Sequence, residues 1–196
     1  MPTQDIIGIV TVIMAIALHI PYLICSIQNK ITPHPFTWIL WTTLTAIIFF
    51  AQFYDNAGPG AWGTATVAII CFGIVIASLK NGFQNVKKID VILFISGLLA
   101  IPIWFLTNDP TLSVILIVTI DLIAFVPTYR KSWSQPYQEP LYLYSLNVIR
   151  HGLSLFALTN ISIATALFPF VIMLANGALA VFLVWRRQAL KKRYNF

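Results

Sequence analysis

Seven apolar stretches, each about the 20 residues that cross a bilayer as a helix, occupy most of this sequence. They run from about Ile6 to Ile27, Phe36 to Phe53, Ala61 to Leu79, Ile89 to Leu106, Thr111 to Tyr129, Pro140 to Leu158 and Ile161 to Trp185. The breaks carry turn chemistry: Pro33 and Pro35, Asn56 to Gly60, Asn81-Gly82, Asn108-Asp109-Pro110, and Ser132 to Pro140. The shortest break is Thr159-Asn160, but fusing its neighbours would give one implausibly long span. Only 9% of residues are charged, against roughly 25% in soluble domains. A water-facing surface cannot be built from so few charges, whereas a lipid-facing one can.

Charge then orients the spans. Lys30 follows the first stretch, and Lys80, Lys87 and Lys88 follow the third. Arg130 and Lys131 follow the fifth, and Arg186, Arg187, Lys191, Lys192 and Arg193 follow the seventh. With seven spans these four places share one side, and the other side holds only Asp5, Asp55 and Asp109. The positive-inside rule predicts an outside N-terminus and a cytoplasmic C-terminus. An even number of spans would scatter the basic residues over both sides. The formal charge of +6 is thereby explained by topology, with a lipid bilayer rather than nucleic acid as the partner. Cys25 and Cys71 lie within apolar stretches and read as small buried residues. The N-terminus lacks the basic region of a cleavable signal, so the first stretch is expected to stay in the mature chain.

The sequence also repeats. His19-Ile20-Pro21-Tyr22 leads into a Lys-containing loop and then Pro33 and Pro35. Phe125-Val126-Pro127-Thr128 leads into Arg130-Lys131 and then Pro136 and Pro140, about 105 residues later. Gly73 and Gly177 keep nearly the same offset. The fold class expected is all-α: two parallel three-helix repeats joined by a linker helix, related by an axis along the membrane normal. Residues 1–82 form the first repeat, 83–108 the linker, 109–185 the second repeat, and 186–196 a basic cytoplasmic tail.

This organisation resembles the SWEET and PQ-loop transporter superfamily, on the strength of PYLICSIQNKITP (21–33) and PTYRKSWSQP (127–136). The Gln of that family's Pro-Gln pair is Tyr22 in one half and Thr128 in the other. The resemblance implies a transporter for a sugar, vitamin or amino-acid-like solute, working by alternating access, with proton coupling as an option. Its other reading is a seven-helix receptor or sorting protein that binds ligand without moving it. The expected localisation is the bacterial inner membrane, as a monomer or homo-oligomer.

Polar residues at membrane depth supply the candidate site. Asp121 lies in stretch five, and Arg150 with His151 in stretch six. A lone charge there costs about 2.5–3.5 kcal/mol on insertion scales, so Asp121 and Arg150 are expected to be neighbours, as an ion pair or a substrate site. Asn147, Arg150, His151 and Ser154 form one helical stripe, expected to face other helices or a cavity. His151 is a candidate proton carrier. Asn176 aligns with a substrate-contacting asparagine of the SWEET-like carriers. His19 is a candidate ligand or interhelix hydrogen-bonding group. Trp38 and Trp41 read as an interfacial aromatic pair or a stacking platform for a planar ligand. Pro21 and Pro127 are candidate hinges. Phosphate loops, zinc motifs and nucleophile elbows are missing, so no catalysis and no cofactor are expected.

Overall fold

A computed structural model of the chain describes residues 2–29, 35–79, 88–99, 102, 106, 109–134, 136–139 and 141–194. The described residues form helices α1 (Thr3–Ile27), α2 (Pro35–Tyr54), α3 (Trp62–Ser78), α4 (Lys88–Leu98), α5 (Pro110–Ser134), α6 (Leu141–Phe156) and α7 (Ile163–Tyr194). Single 3-10 turns occupy Gly58–Ala61 and Pro136–Gln138, and no strand occurs among the described residues. Six of the seven apolar stretches coincide with a helix, whereas the fourth, expected from Ile89 to Leu106, is a continuous helix only to Leu98, with a turn at Leu99. The loop around Lys30 and Pro33, that from Lys80 to Lys87, most of the linker beyond Leu99, and the side chain of Pro127 lie outside the described residues.

The helix ends have local causes. Asn29 and Asn56 both adopt a left-handed φ of 55°, which asparagine tolerates better than most residues, and so close α1 and α2. After α2 the amide of Ala57 reaches back to the carbonyl of Gln52 at 2.9 Å, a helix-terminating bond. Asp109 caps α5 by accepting from the amide of Thr111 at 2.8 Å. The last helix differs from expectation: α7 does not stop at Trp185 but carries the basic segment as helix to Tyr194. That segment holds no Gly or Pro, and its Lys and Arg favour a helix C-terminus. At about 1.5 Å per residue α7 is longer than a bilayer core of about 30 Å.

Helix packing sorts into two trios. α3 packs against both α1 and α2, and α7 packs against both α5 and α6. The trios meet where α1 touches α6 and where α2 touches α5. α4 lies against α2 and α5. One apolar core spans the junction, built from Leu40, Leu44 and Ile48 of α2, Val114 and Ile117 of α5, and Phe168 and Ile172 of α7. A second lies within the first trio and joins Ala15, Trp38, Ile70, Cys71 and Ile74.

The exterior is apolar. Ile13, Ile69, Phe156 and Val181 are 59%, 72%, 75% and 71% exposed, each on a helix whose small or polar residues face inward. Thr3–Ile27, Gly58–Ser78 and Ile163–Lys191 are long and apolar enough to cross a membrane. Trp38–Tyr54 and Thr111–Ile123 are shorter apolar segments.

Candidate functional site

Helix α6 is amphipathic in the inverted sense. Tyr142, Leu146, Ile149 and Phe156 are exposed, while Arg150, His151 and Ser154 are buried. Such a helix is costly to place in water and economical in lipid, because its polar stripe must find partners inside the protein. The stripe turns toward α1 and α3 of the other trio. The Nη1 atom of Arg150 lies 3.6 Å from where a Cβ on Gly63 would stand, and Thr11 Oγ1 lies 3.0 Å from the same point. Gly63 therefore lets α3 approach α1 closely beside the guanidinium.

The partners of Arg150 are all neutral. Its Nε donates to Asn147 Oδ1 at 3.0 Å. Its Nη2 donates to His151 Nε2 at 2.7 Å. A guanidinium has only donors, so Nε2 must be the acceptor, and His151 is the neutral ring with its proton on Nδ1. Ser154 donates to the Arg150 carbonyl at 3.1 Å. The His151 ring stands edge-on to Phe168 of α7, with centroids 5.8 Å apart. On the α1 side, His19 bonds the Ala15 carbonyl through Nδ1 at 2.9 Å, which leaves Nε2 for another group. His19 and Cys71 both lie within electrostatic reach of Arg150.

No acid joins this cluster. Arg150 is 5% exposed and makes no ion pair among the described residues. The expected pairing with Asp121 is not formed. Asp121 is half-buried on α5 and has neither a hydrogen bond nor an ion pair among the described residues. The reason is topological: α7 packs between α5 and α6, so helices consecutive in sequence are not neighbours in space. Asp55 bonds Ser162, and Glu139 accepts from Tyr144 at 2.6 Å.

The remaining candidates are dispersed. Asn176 is buried on α7, where its Nδ2 donates to the Ile172 carbonyl at 2.8 Å, a bond within its own helix. Trp38 is a buried member of the first-trio core; its ring lies 4.8 Å from Tyr22 and 5.1 Å, edge-on, from the more exposed Trp41. Pro21 lies inside a helix that continues to Ile27, and α5 likewise runs on through position 127. An open groove of about 340 Å³ lies between α6 and α7, lined by residues including Leu141, Ser145, Val181 and Trp185. It is on the opposite side of α6 from the polar cluster.

One set of residues was not singled out from the sequence. At one end of the bundle the 55–61 turn meets the 157–162 turn. Thr159 Oγ1 donates to the Asn56 carbonyl at 2.6 Å, and Asn160 Nδ2 donates to the Asp55 carbonyl at 2.8 Å. The Thr159 amide donates to the Ala57 carbonyl at 3.0 Å, and the Ser162 hydroxyl to the Asp55 carboxylate. Gln52, wholly buried, donates to the Thr165 carbonyl at 3.0 Å, and Gln4 to that of Leu158 at 3.3 Å. Gly58, at φ 61°, sits where a Cβ would strike Thr159. These hydrogen bonds join the two trios at this end. At the other end three arginine contacts lie within the second trio. Arg186 Nε donates to the Trp133 carbonyl at 2.6 Å, and Arg187 Nη2 to the carbonyls of Pro136 and Glu139 at 3.0 and 2.7 Å. We call these the tied end and the basic end.

No protein-family model matches the chain, and neither a curated protein nor a solved structure matches it.

Proposed function

We propose that the chain is a seven-span transporter for a small solute, with its N-terminus outside, its basic end in the cytoplasm, and its site at Arg150 between the two trios. The observation that carries the reading is a buried guanidinium at the inter-trio boundary with only neutral partners. Ionisable groups inside membrane proteins mark substrate or ion paths by default.

Symmetry supports the transport mechanism. A two-fold axis that carries α1, α2 and α3 onto α5, α6 and α7 also exchanges the α1–α6 contact with the α5–α2 contact, and both are present. The tied-end partners Asp55 and Asn160 are 105 residues apart and Asn56 and Thr159 are 103 apart, close to the repeat offset, as expected for turns facing one another across that axis. α4 has no counterpart and serves as the linker. The bonds of the tied end support a transporter closed on the outer side, in which rocking the trios apart at that end exposes Arg150 outward.

Counterflow of a solute panel in proteoliposomes tests this. The expected result is exchange of at least one solute that Arg150→Gln abolishes. Ligand binding without flux for any member would replace the transporter with a receptor of the same architecture. A C-terminal reporter fusion active outside the cytoplasm would reverse the orientation.

A further inference from the structure

We propose that the solute carries a carboxylate, and that the end-on fork of the Arg150 guanidinium receives it; this rests on the transporter reading above. A guanidinium offers five N–H donors in a fixed plane. In Arg150, Nε bonds Asn147 Oδ1 and Nη2 makes one bond, to His151 Nε2. One N–H of Nη2 and both N–H groups of Nη1 make no bond among the described residues. His151 is assigned to the N–H of Nη2 that flanks Nε, beside the bond to Asn147, so that two parallel N–H groups of Nη1 and Nη2 are left pointing away from Cζ, the geometry that a carboxylate accepts with both oxygens.

The surroundings leave the positive charge uncompensated. Asn147 and His151 hold the guanidinium plane fixed without neutralising it. The Nδ2 donor of Asn147 has no partner among the described residues and lies beside the same plane. Thr11 Oγ1 is spent on the Gly8 carbonyl at 2.7 Å, and Ser154 Oγ on the carbonyl of Arg150. Neither competes for the fork. The Nε2 of His19, across the trio boundary on α1, has no hydrogen-bond partner among the described residues and can contact the solute's second polar group. A buried cation with one unpaired planar edge is costly unless an anion shares the site. The single positive charge selects a monocarboxylate over a dianion such as inorganic phosphate.

The test uses the purified full-length chain in detergent and matched pairs that differ only in charge: nicotinate and nicotinamide, benzoate and benzamide, propionate and propionamide, with inorganic phosphate as the fourth arm. The expected result is that at least one acid binds by calorimetry and raises the unfolding temperature, while its amide does neither. Arg150→Gln weakens that acid about 10- to 100-fold, and Arg150→Lys, which keeps the charge but loses the planar fork, falls between. Because Arg150→Gln can impair folding, Arg150→Met is measured without ligand. A cation retained for a ligand predicts that this variant unfolds no earlier than the wild type. Amides binding as well as acids, phosphate binding in preference to every acid, or an unaltered acid affinity in Arg150→Gln overturns the proposal, as does no binding at all. Acids that bind through Arg150 without counterflow leave this inference standing and remove the transporter reading. Counterflow of neutral solutes alone does the reverse.

Discussion

The Nη2 of Arg150 stands 2.7 Å from the Nε2 of His151, its neighbour in sequence. Adjacent residues on a helix point about 100° apart, so this contact requires both side chains to bend toward one another inside the α1–α6 boundary. The bond fixes the charge state and the tautomer of the histidine together, because only a bare ring nitrogen can face a guanidinium.

His151 is accordingly expected to be neutral at pH 7, with its proton on Nδ1. Imidazole nitrogen chemical shifts of the selectively labelled protein report this directly. A proton on Nε2 would contradict the contact. Replacing the ring by leucine removes the acceptor and leaves the Arg150 donor buried, so His151→Leu should cost about 1–3 kcal/mol in reversible unfolding. His151→Gln, which restores an acceptor, should recover part of that loss.

Asp121 and Arg150 should behave independently. They lie on helices that α7 separates, and no bond joins them among the described residues. In a double-mutant cycle of Asp121→Asn with Arg150→Gln, the coupling energy is expected to fall below about 0.5 kcal/mol, the value for sites without shared partners. Asp121→Asn alone should leave stability unchanged or raised, since a half-buried carboxylate without a partner is made neutral. A coupling of several kcal/mol would restore the ion pair that the sequence suggested.

That pairing shows where sequence reasoning stopped. The helices were legible because hydropathy and turn residues act locally: Asn56 and Asp109-Pro110 stand at the ends of α2 and at the start of α5, where both reading and structure put a break. The inward stripe of α6 was legible too, because Asn147, Arg150, His151 and Ser154 share a face whatever α6 packs on. Which helix that face meets is tertiary. Expecting Asp121 beside Arg150 treats consecutive spans as neighbours, whereas α7 inserts between α5 and α6, and α6 meets α1 instead. The tied end was missed for a related reason. Thr159-Asn160 reads as a bare short turn, and its bonds to Asp55 and Asn56 come from the trio junction alone. The near-105-residue offset of the repeat was the signal that could have found it.

Loosening the tied end should expose the site. Asp55→Asn, Ser162→Ala and Thr159→Val each remove part of one inter-trio bond, worth about 0.5–1.5 kcal/mol for a neutral pair and more for the carboxylate. Cys71 reports the result, since it is buried at 2% exposure within electrostatic reach of Arg150. In a Cys25→Ala background, a membrane-impermeant maleimide should label Cys71 slowly in the wild-type arrangement. Labelling should be several-fold faster once the ties are cut. Equal rates would mean that the ties do not govern access.

Glycine substitutions separate close helix contact from mere helix propensity. A Cβ on Gly8 would lie 2.7 Å from Pro59 Cβ, 2.9 Å from Trp62 and 3.0 Å from the Pro59 carbonyl. Proline and backbone cannot yield there, so Gly8→Ala must push α1 off the 58–61 turn, at about 1–3 kcal/mol. On Gly177 the nearest atom is Val148 Cγ2 at 3.6 Å, ordinary contact. Gly177→Ala inside α7 should therefore be neutral, or stabilising by up to about 1 kcal/mol through helix propensity. Gly63→Ala is the informative intermediate. Its Cβ would meet Thr11 at 3.0 Å and Arg150 Nη1 at 3.6 Å, so a modest loss of stability should accompany a larger loss of any Arg150-dependent ligand binding. Thermal unfolding of the three variants, read beside carboxylate binding, distinguishes these cases. If Gly63→Ala lowered stability as much as Gly8→Ala and left binding intact, Nη1 could not be the edge that meets the ligand.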